Sequence, residues 1–128
     1  MNEERTQFDI EIEVETHYCQ KESSPEENRY VFTYQISIHN CGLETLKLLN
    51  RHWVITDGNQ QVLEVSGEGV VGEQPIIHPG ETYEYNSGVV IETPLGSMYG
   101  SYEMQSNLGE FYQADIPVFS LMAPGLIH

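Results

Sequence analysis

Short segments that alternate apolar and polar residues constrain the fold of this chain most strongly. Residues 8–15 alternate apolar side chains with carboxylates, and residues 30–39 alternate aromatic or aliphatic side chains with mostly polar ones. A period of two with one apolar face is typical of a half-buried β-strand. No segment of about eleven residues or more shows helical periodicity. The pattern therefore predicts an all-β chain.

One predicted strand, residues 45–57, changes its phase partway along. Leu46 and Leu48 share one parity, whereas Trp53 and Ile55 share the other. A strand keeps one face in the core only if an extra residue resets its register, so we expect a β-bulge near Asn50. The bulge brings Trp53 into the centre of the core.

Turn signals divide the rest of the chain into short strands. Asp57-Gly58-Asn59 predicts a hairpin, and the Gly, Asn and Pro residues at 93–96 and 107–109 predict two further turns. Pro117 places the last strand at a sheet edge, because proline cannot donate to a ladder. Seven or eight such strands predict an antiparallel β-sandwich, immunoglobulin-like or fibronectin type III-like, with a small barrel as the alternative. Within it, we expect Tyr102 to form a tyrosine corner, with its hydroxyl bonded to upstream backbone.

The balance of charge excludes several classes of partner. Residues 1–128, which we expect to form one domain, carry twenty acidic against five basic residues, a formal net charge of −15. Such a surface repels polyanions, so neither nucleic acid nor an anionic membrane is an expected partner. Residues 1–5 do not resemble a signal peptide, and no apolar run approaches the roughly 20 residues of a membrane span. We expect a cytoplasmic protein in which Cys19 and Cys41 remain thiols, since a hairpin holds them too far apart to bond.

The segment 67–72 contains three glycines in GxGxxG spacing, namely Gly67, Gly69 and Gly72. In a dinucleotide site this motif opens a helix, which the following residues 73–75, ending in proline, cannot form. Glu68 and Glu73 would also place like charge beside a bound phosphate. Two interpretations remain: the glycines permit bulges or positive φ along an irregular edge strand, or the segment is another kind of phosphate cradle.

Arg51 and His52 are the candidate anion contacts near this segment. Alternatively, Arg51 pairs with an acidic neighbour, Glu68 or Glu73, and His52 is an ordinary strand histidine. These residues and the glycine segment form the candidate binding surface: Arg51, His52, Gly67, Glu68, Gly69, Gly72 and Glu73. No zinc-type histidine spacing or distinct acid–base couple is present, so we predict no catalytic residue, no metal site and no cofactor.

Many of these residues together resemble the bacterial ApaG family. The matching positions are 48–53, 64–65, 67–75, 79–80, Tyr85, 87–88, 93–94, Gly96, Met98, Gly100, Tyr102, Met104, 116–117 and Phe119, in a match that runs from about Ile36 to Leu126. The resemblance implies a fibronectin type III-like β-sandwich without an assigned enzymatic activity. It also implies a link to diadenosine polyphosphate metabolism and to magnesium and cobalt handling. Related domains in eukaryotic F-box and polymerase-interacting proteins imply an adaptor role.

Two functions are therefore expected, and the first is favoured over the second. The first is a non-catalytic module, monomer or homodimer, that binds an unknown protein partner through the candidate surface. The alternative is a binder of pyrophosphate-bearing nucleotides of the diadenosine polyphosphate type, with or without Mg²⁺ or Co²⁺, linked to divalent cation homeostasis. An enzyme is not expected.

Overall fold

A computed structural model describes residues 8–125, which form eight β-strands and one short 3-10 turn. The elements are β1 (Ile10–Tyr18), the 3-10 turn (Pro25–Glu27), β2 (Tyr30–Asn40), β3 (Leu46–Asp57), β4 (Val62–Glu68), β5 (Ile76–Ile77), β6 (Thr82–Ile91), β7 (Leu95–Ser106) and β8 (Phe111–Met122). Within 8–125 there is no helix with the length and apolar character to cross a membrane. The expectation about a signal peptide concerns residues 1–5 and lies outside the described residues.

The strands belong to two antiparallel sheets. One sheet has the order β1-β2-β6; the other has the order β4-β3-β7-β8, with β5 paired to the beginning of β3. The predicted β-sandwich is confirmed. The barrel alternative is wrong, because the described strands form two separate sheets and not one closed sheet. β4 and β6 each end a sheet on one side of the sandwich, and the candidate site lies on this side.

The core fills the space between the two inner faces. The apolar face predicted for β2 is buried through Phe32, Tyr34, Ile36 and Ile38. Trp53 is only 3% exposed and packs edge-on against Tyr34 and Phe119, with ring centroids 5.5 and 5.9 Å apart. Edge-to-face aromatic pairs add roughly 0.5–1.5 kcal/mol beyond the area that they bury. The prediction of Trp53 in the core is confirmed.

The predicted bulge in β3 is present. The register between β3 and β7 shifts between Leu48 and Asn50. The shift lets Leu46 and Leu48 face the core before it, and Trp53 after it. The change of parity read from the sequence is thus resolved by one extra residue rather than by burial of both faces.

Two further expectations about edges and thiols are confirmed. β8 is an edge strand, and Pro117 lies exposed on it. β1 and β2 form the expected hairpin, and no disulfide joins Cys19 to Cys41. The hairpin places the two thiols beyond opposite ends of β2, so they cannot approach each other.

The prediction of a tyrosine corner at Tyr102 is wrong. Its hydroxyl bonds the hydroxyl of Tyr85, 2.5 Å away, and not upstream backbone. Tyr102 lies in the middle of β7 and is fully buried between the sheets, so its hydroxyl reaches across to β6. The pair joins the two sheets through one buried hydrogen bond.

Candidate functional site

The ladder between β3 and β4 brings the predicted site residues together. Arg51 faces Gly67, and His52 faces Ser66, one position along. The chain then leaves β4 at Glu68 and folds back toward β5. Arg51 and the glycine segment therefore form one continuous surface at the end of β4.

Arg51 binds backbone rather than a carboxylate. Its Nη1 donates to the carbonyl oxygens of Glu68 and Gly69, at 3.1 and 2.9 Å. No carboxylate lies within 4.0 Å of its guanidinium among residues 8–125. The prediction that Arg51 pairs with the side chain of Glu68 or Glu73 is wrong, because the loop carbonyls take its donors first. The guanidinium holds the end of β4 in place and keeps its positive charge unneutralised by an ion pair.

Residues 69–73 form a small closed hairpin, which we call the 69–73 hairpin. The amide of Gly69 donates to the carbonyl of Leu49 at 2.8 Å. Val70 and Glu73 exchange both backbone hydrogen bonds, at 2.8 and 3.0 Å. Val71 and Gly72 between them have φ of 49° and 81°. Positive φ at both central residues defines a type I′ turn, the usual two-residue turn of β-hairpins.

The GxGxxG glycines are explained by this geometry. Gly69 has φ +64°, and a Cβ there would lie 2.1 Å from the carbonyl oxygen of Glu73. The glycines thus supply positive φ and close approach at the irregular end of an edge strand, which confirms that interpretation. The amides of Gly69, Val70 and Glu73 all donate within the chain. They are therefore not presented to a phosphate, and within 8–125 no helix follows the motif.

Val71 belongs to the surface, although the sequence analysis did not select it. It is a β-branched residue in the left-handed region and is 63% exposed. β-branched side chains rarely adopt this conformation, because the branch collides with the backbone. The sequence held one signal for it: an apolar residue directly before the last glycine of the motif, where a type I′ turn prefers asparagine.

A crevice of about 210 Å³ separates the 69–73 hairpin from β2 and β6. Its lining consists of Tyr34, Arg51, Trp53, Val70, Val71, Gly72, Tyr85, Asn86 and Ser87. Burial raises the pKa of Tyr34 and of Tyr85 above 10.0; the hydrogen bonds to Ser87 and Tyr102, respectively, and the nearby Arg51 charge oppose this shift. Both phenols are therefore protonated near neutral pH and can act there as hydrogen-bonding groups, not as bases.

The remaining predicted residues lie around this crevice but do not converge in it. His52 points to the outer face of its sheet, opposite to Arg51, since neighbouring strand residues alternate. There its Nε2 lies 3.0 Å from Oε1 of Glu64. Glu73 accepts a hydrogen bond of 3.0 Å from the hydroxyl of Tyr83, whose pKa is raised mainly by burial and further by that carboxylate. Glu68 is exposed.

No metal-ligand cluster is present in the part of the chain that the structure describes. Groups of three or more His, Cys, Asp or Glu side chains that could hold an ion are absent from residues 8–125. The carboxylates of β1, such as Glu11 and Glu13, project from its exposed face. Carboxylates in this arrangement do not converge on one point.

Comparison with known proteins shows the family to which the chain is similar. The family model described as the ApaG domain matches residues 20–106. Protein ApaG of Pectobacterium carotovorum is 52% identical over 117 residues, which are 91% of this chain and 94% of that protein. Protein ApaG of Escherichia coli O1:K1 / APEC is 53% identical over 117 residues, with the same coverage of 91% and 94%.

Solved structures agree with the fold. An X-ray structure from a structural genomics programme superposes with a TM-score of 0.88 at 50% identity, covering 93% of this chain and 90% of that one. The crystal structure of a Bordetella pertussis protein described as ApaA superposes with a TM-score of 0.92 at 39% identity, covering 95% and 99%. From the family match and these relatives together, the chain belongs to the ApaG domain family.

Proposed function

We propose that this protein is a non-catalytic module that binds a protein partner through the 69–73 hairpin and the Arg51 side chain that anchors it. The observation that carries the proposal is the conformation of Val71. A β-branched residue with φ of 49° stores strain, on the order of 1–3 kcal/mol. Strain of this kind persists where the surrounding structure enforces it, and it concentrates at functional sites.

Packing in the core does not account for the strained conformation of Val71, because its side chain is mostly exposed. The side chain is 63% exposed, so it contributes little to the core, in contrast to its buried neighbour Val70. Asparagine or glycine at this position would form the turn at lower cost. An exposed apolar group held rigidly at the tip of a turn is the kind of anchor that inserts into a pocket of a partner. This combination supports a contact role for Val71.

The charges around the hairpin support a basic partner. Glu68 and Glu73 flank the turn and are both exposed, and the whole chain carries a formal net charge of −15. Such a surface increases the association rate of a basic protein and slows that of an acidic one. It equally disfavours nucleic acid as a partner, because the four basic residues of 8–125 are dispersed.

Neither catalysis nor nucleotide binding receives comparable support. Tyr34 and Tyr85, whose phenols line the crevice, have pKa values raised mainly by burial, so neither is a base near neutral pH. The amides of Gly69, Val70 and Glu73 already donate to backbone carbonyls, which argues against a pyrophosphate bound at these three amides. We further propose a cytoplasmic location, supported by the two thiols, and a fibronectin type III-like sandwich, supported by the adjacency of β3, β7 and β8 in one sheet.

Substitution of Val71 tests the proposal. Immobilised wild-type protein and the Val71→Asn variant are exposed to a bacterial extract, and bound proteins are quantified by mass spectrometry. We expect Val71→Asn to raise the free energy of unfolding by about 1 kcal/mol, because the turn strain is relieved. We expect the same variant to lose the partner.

Leu108→Asn is the matched control. Leu108 is 72% exposed in another turn, between β7 and β8, so its substitution removes similar apolar surface away from the hairpin. We expect this variant to retain every partner. Equal capture by wild type, Val71→Asn and Leu108→Asn would contradict the proposal.

A further inference from the structure

One side of the sandwich has two strand edges and a groove between them. β4 ends the five-stranded sheet and β6 ends the three-stranded sheet, and no described strand pairs with the outer edge of either. Next to the turn between β3 and β4, the two edges enclose a groove of about 530 Å³. Its apolar lining consists of Ile55, Val62, Leu63, Val90 and Ile91, and its polar lining of Asp57, Gln61 and Glu92.

The hydrogen-bonding groups of β4 alternate between its partner strand and the free edge. Asp57 donates to the carbonyl of Gln61 at 3.0 Å, which fixes the phase of the ladder. In an antiparallel pair, every second residue bonds the partner strand, and the residues between direct their amides and carbonyls away from it. The amides and carbonyls of Val62, Glu64 and Ser66 therefore point away from β3, toward the free edge of the sheet. They form a short row of available donors and acceptors.

Apolar side chains surround this row. Val62, Leu63 and Val90 are 60%, 56% and 47% exposed, although the chain has a strongly polar surface. An exposed edge with apolar side chains is a template for another strand, and proteins normally block such edges with charge or cover them. Two features limit the edge: Glu64 lies in its middle, and Arg51 donates to the carbonyl of Glu68 at its end.

Charge argues against a second copy of this chain as the occupant. An antiparallel pair of β4 strands centred on Glu64 would place two Glu64 carboxylates directly opposite each other, which is destabilising. Each chain also carries a formal net charge of −15, so the copies repel. An incoming strand with lysine or arginine opposite Glu64, and apolar residues toward Leu63 and Val90, has the complementary charge and shape.

We infer that β4 accepts an additional strand from a partner protein, an extended segment in which apolar residues alternate with lysine or arginine. The inference rests on the proposed function, that of a protein-binding module, and specifies its mode and the chemistry of the partner. Backbone hydrogen bonds to Val62, Glu64 and Ser66 supply the affinity. The groove beside Leu63 and Val90 selects apolar residues of the incoming strand, and the carboxylate of Glu64 selects a lysine or arginine.

A synthetic peptide tests this inference directly. The probe is a capped peptide of about nine alternating valines and lysines, titrated against the ¹⁵N-labelled protein. We expect saturable shifts and slower hydrogen exchange at the amides of Val62, Glu64 and Ser66. The same peptide N-methylated at every second residue keeps its charge and apolar surface but cannot pair; it should bind at least about tenfold more weakly.

Two variants at one position separate pairing from charge. Glu64→Pro removes the central outward amide without touching the ladder to β3, since proline is tolerated at a free edge. Glu64→Gln removes only the charge. We expect Glu64→Gln to lower the affinity for the peptide a few-fold and to reduce its salt dependence. We expect Glu64→Pro to bind the peptide at least about tenfold more weakly than Glu64→Gln does.

Three results would overturn the inference: no binding at millimolar peptide, equal affinity for the N-methylated peptide, or shifts that avoid Val62, Glu64 and Ser66. The N-methylated peptide keeps the test valid even if Glu64→Pro does not fold. Failure of this inference is distinguishable from failure of the proposed function. If Glu64→Pro captures the same proteins from extract as wild type while Val71→Asn loses them, the module binds partners, but not by strand addition at β4.

Discussion

The guanidinium of Arg51 occupies the space that a side chain at Gly67 would need. The two residues face each other across the ladder of β3 and β4, and a Cβ at Gly67 would lie 2.7 Å from Nη2 of Arg51. By crossing this glycine, the side chain reaches the carbonyls of Glu68 and Gly69. Gly67 therefore allows Arg51 to fasten the 69–73 hairpin to the sheet.

Gly67→Ala should displace Arg51 and cost about 1–2 kcal/mol in the free energy of unfolding, because two hydrogen bonds from a charged group are lost. Arg51→Ala should cost a similar amount. The double variant should be no worse than either single one, since both remove the same contact. Urea unfolding followed by the fluorescence of Trp53 measures all three, with the exposed neighbour Ser66→Ala as control. Strictly additive costs would show that the two residues are independent.

The hydroxyl pair of Tyr85 and Tyr102 should also show costs that do not add, because the hydrogen bond between them is buried. Tyr102→Phe leaves the buried hydroxyl of Tyr85 without its partner, which costs about 1–3 kcal/mol. Replacing both tyrosines by phenylalanine removes the unsatisfied group. We expect the double variant to be clearly more stable than the sum of the single effects predicts. A double variant as unstable as that sum would argue against a bonded pair.

Alkaline pH should destabilise the protein through its buried phenols. Burial raises the pKa of Tyr34, Tyr85 and Tyr102 above the ordinary value of 10.0. Above pH 10 the unfolded chain releases these protons while the folded state retains them, so stability is complete below that pH and falls above it. The slope is about 1.4 kcal/mol per pH unit for each tyrosine.

Urea unfolding between about pH 8 and pH 11 measures this slope. The Tyr85→Phe, Tyr102→Phe double variant should show a shallower decline, because one of the three phenols remains. An unchanged slope in the double variant would contradict burial of these hydroxyls as the cause.

The framework of the fold was predictable from the sequence, because its signals are local. Alternation set the inward face of β2, and the change of parity between Leu48 and Trp53 placed the bulge. Pro117 marked an edge strand through its missing donor. Each of these inferences uses spacing within one strand, and each is confirmed by the structure.

The contacts of the candidate site were less predictable, because they depend on register between strands. The sequence contained an arginine and nearby carboxylates, and the pairing of Arg51 with Glu68 or Glu73 was a reasonable expectation. The register places Gly67 opposite Arg51, and only this register shows that the guanidinium reaches the carbonyls of Glu68 and Gly69 and not the carboxylates. The partner of Tyr102 and the positive φ of Val71 likewise depend on tertiary packing.

We propose that the closed 69–73 hairpin displays its side chains to a partner and does not cradle phosphate. An NMR titration with inorganic pyrophosphate and with ATP, each with and without Mg²⁺, tests it at the amides of Gly69, Val70 and Glu73. It compares wild type with the Glu68→Gln, Glu73→Gln variant, which lacks the two repelling carboxylates. We predict slow hydrogen exchange at these amides and no saturable shift in either protein. Saturable shifts at the three amides that become stronger in the variant, and vanish in Arg51→Ala, would contradict the account.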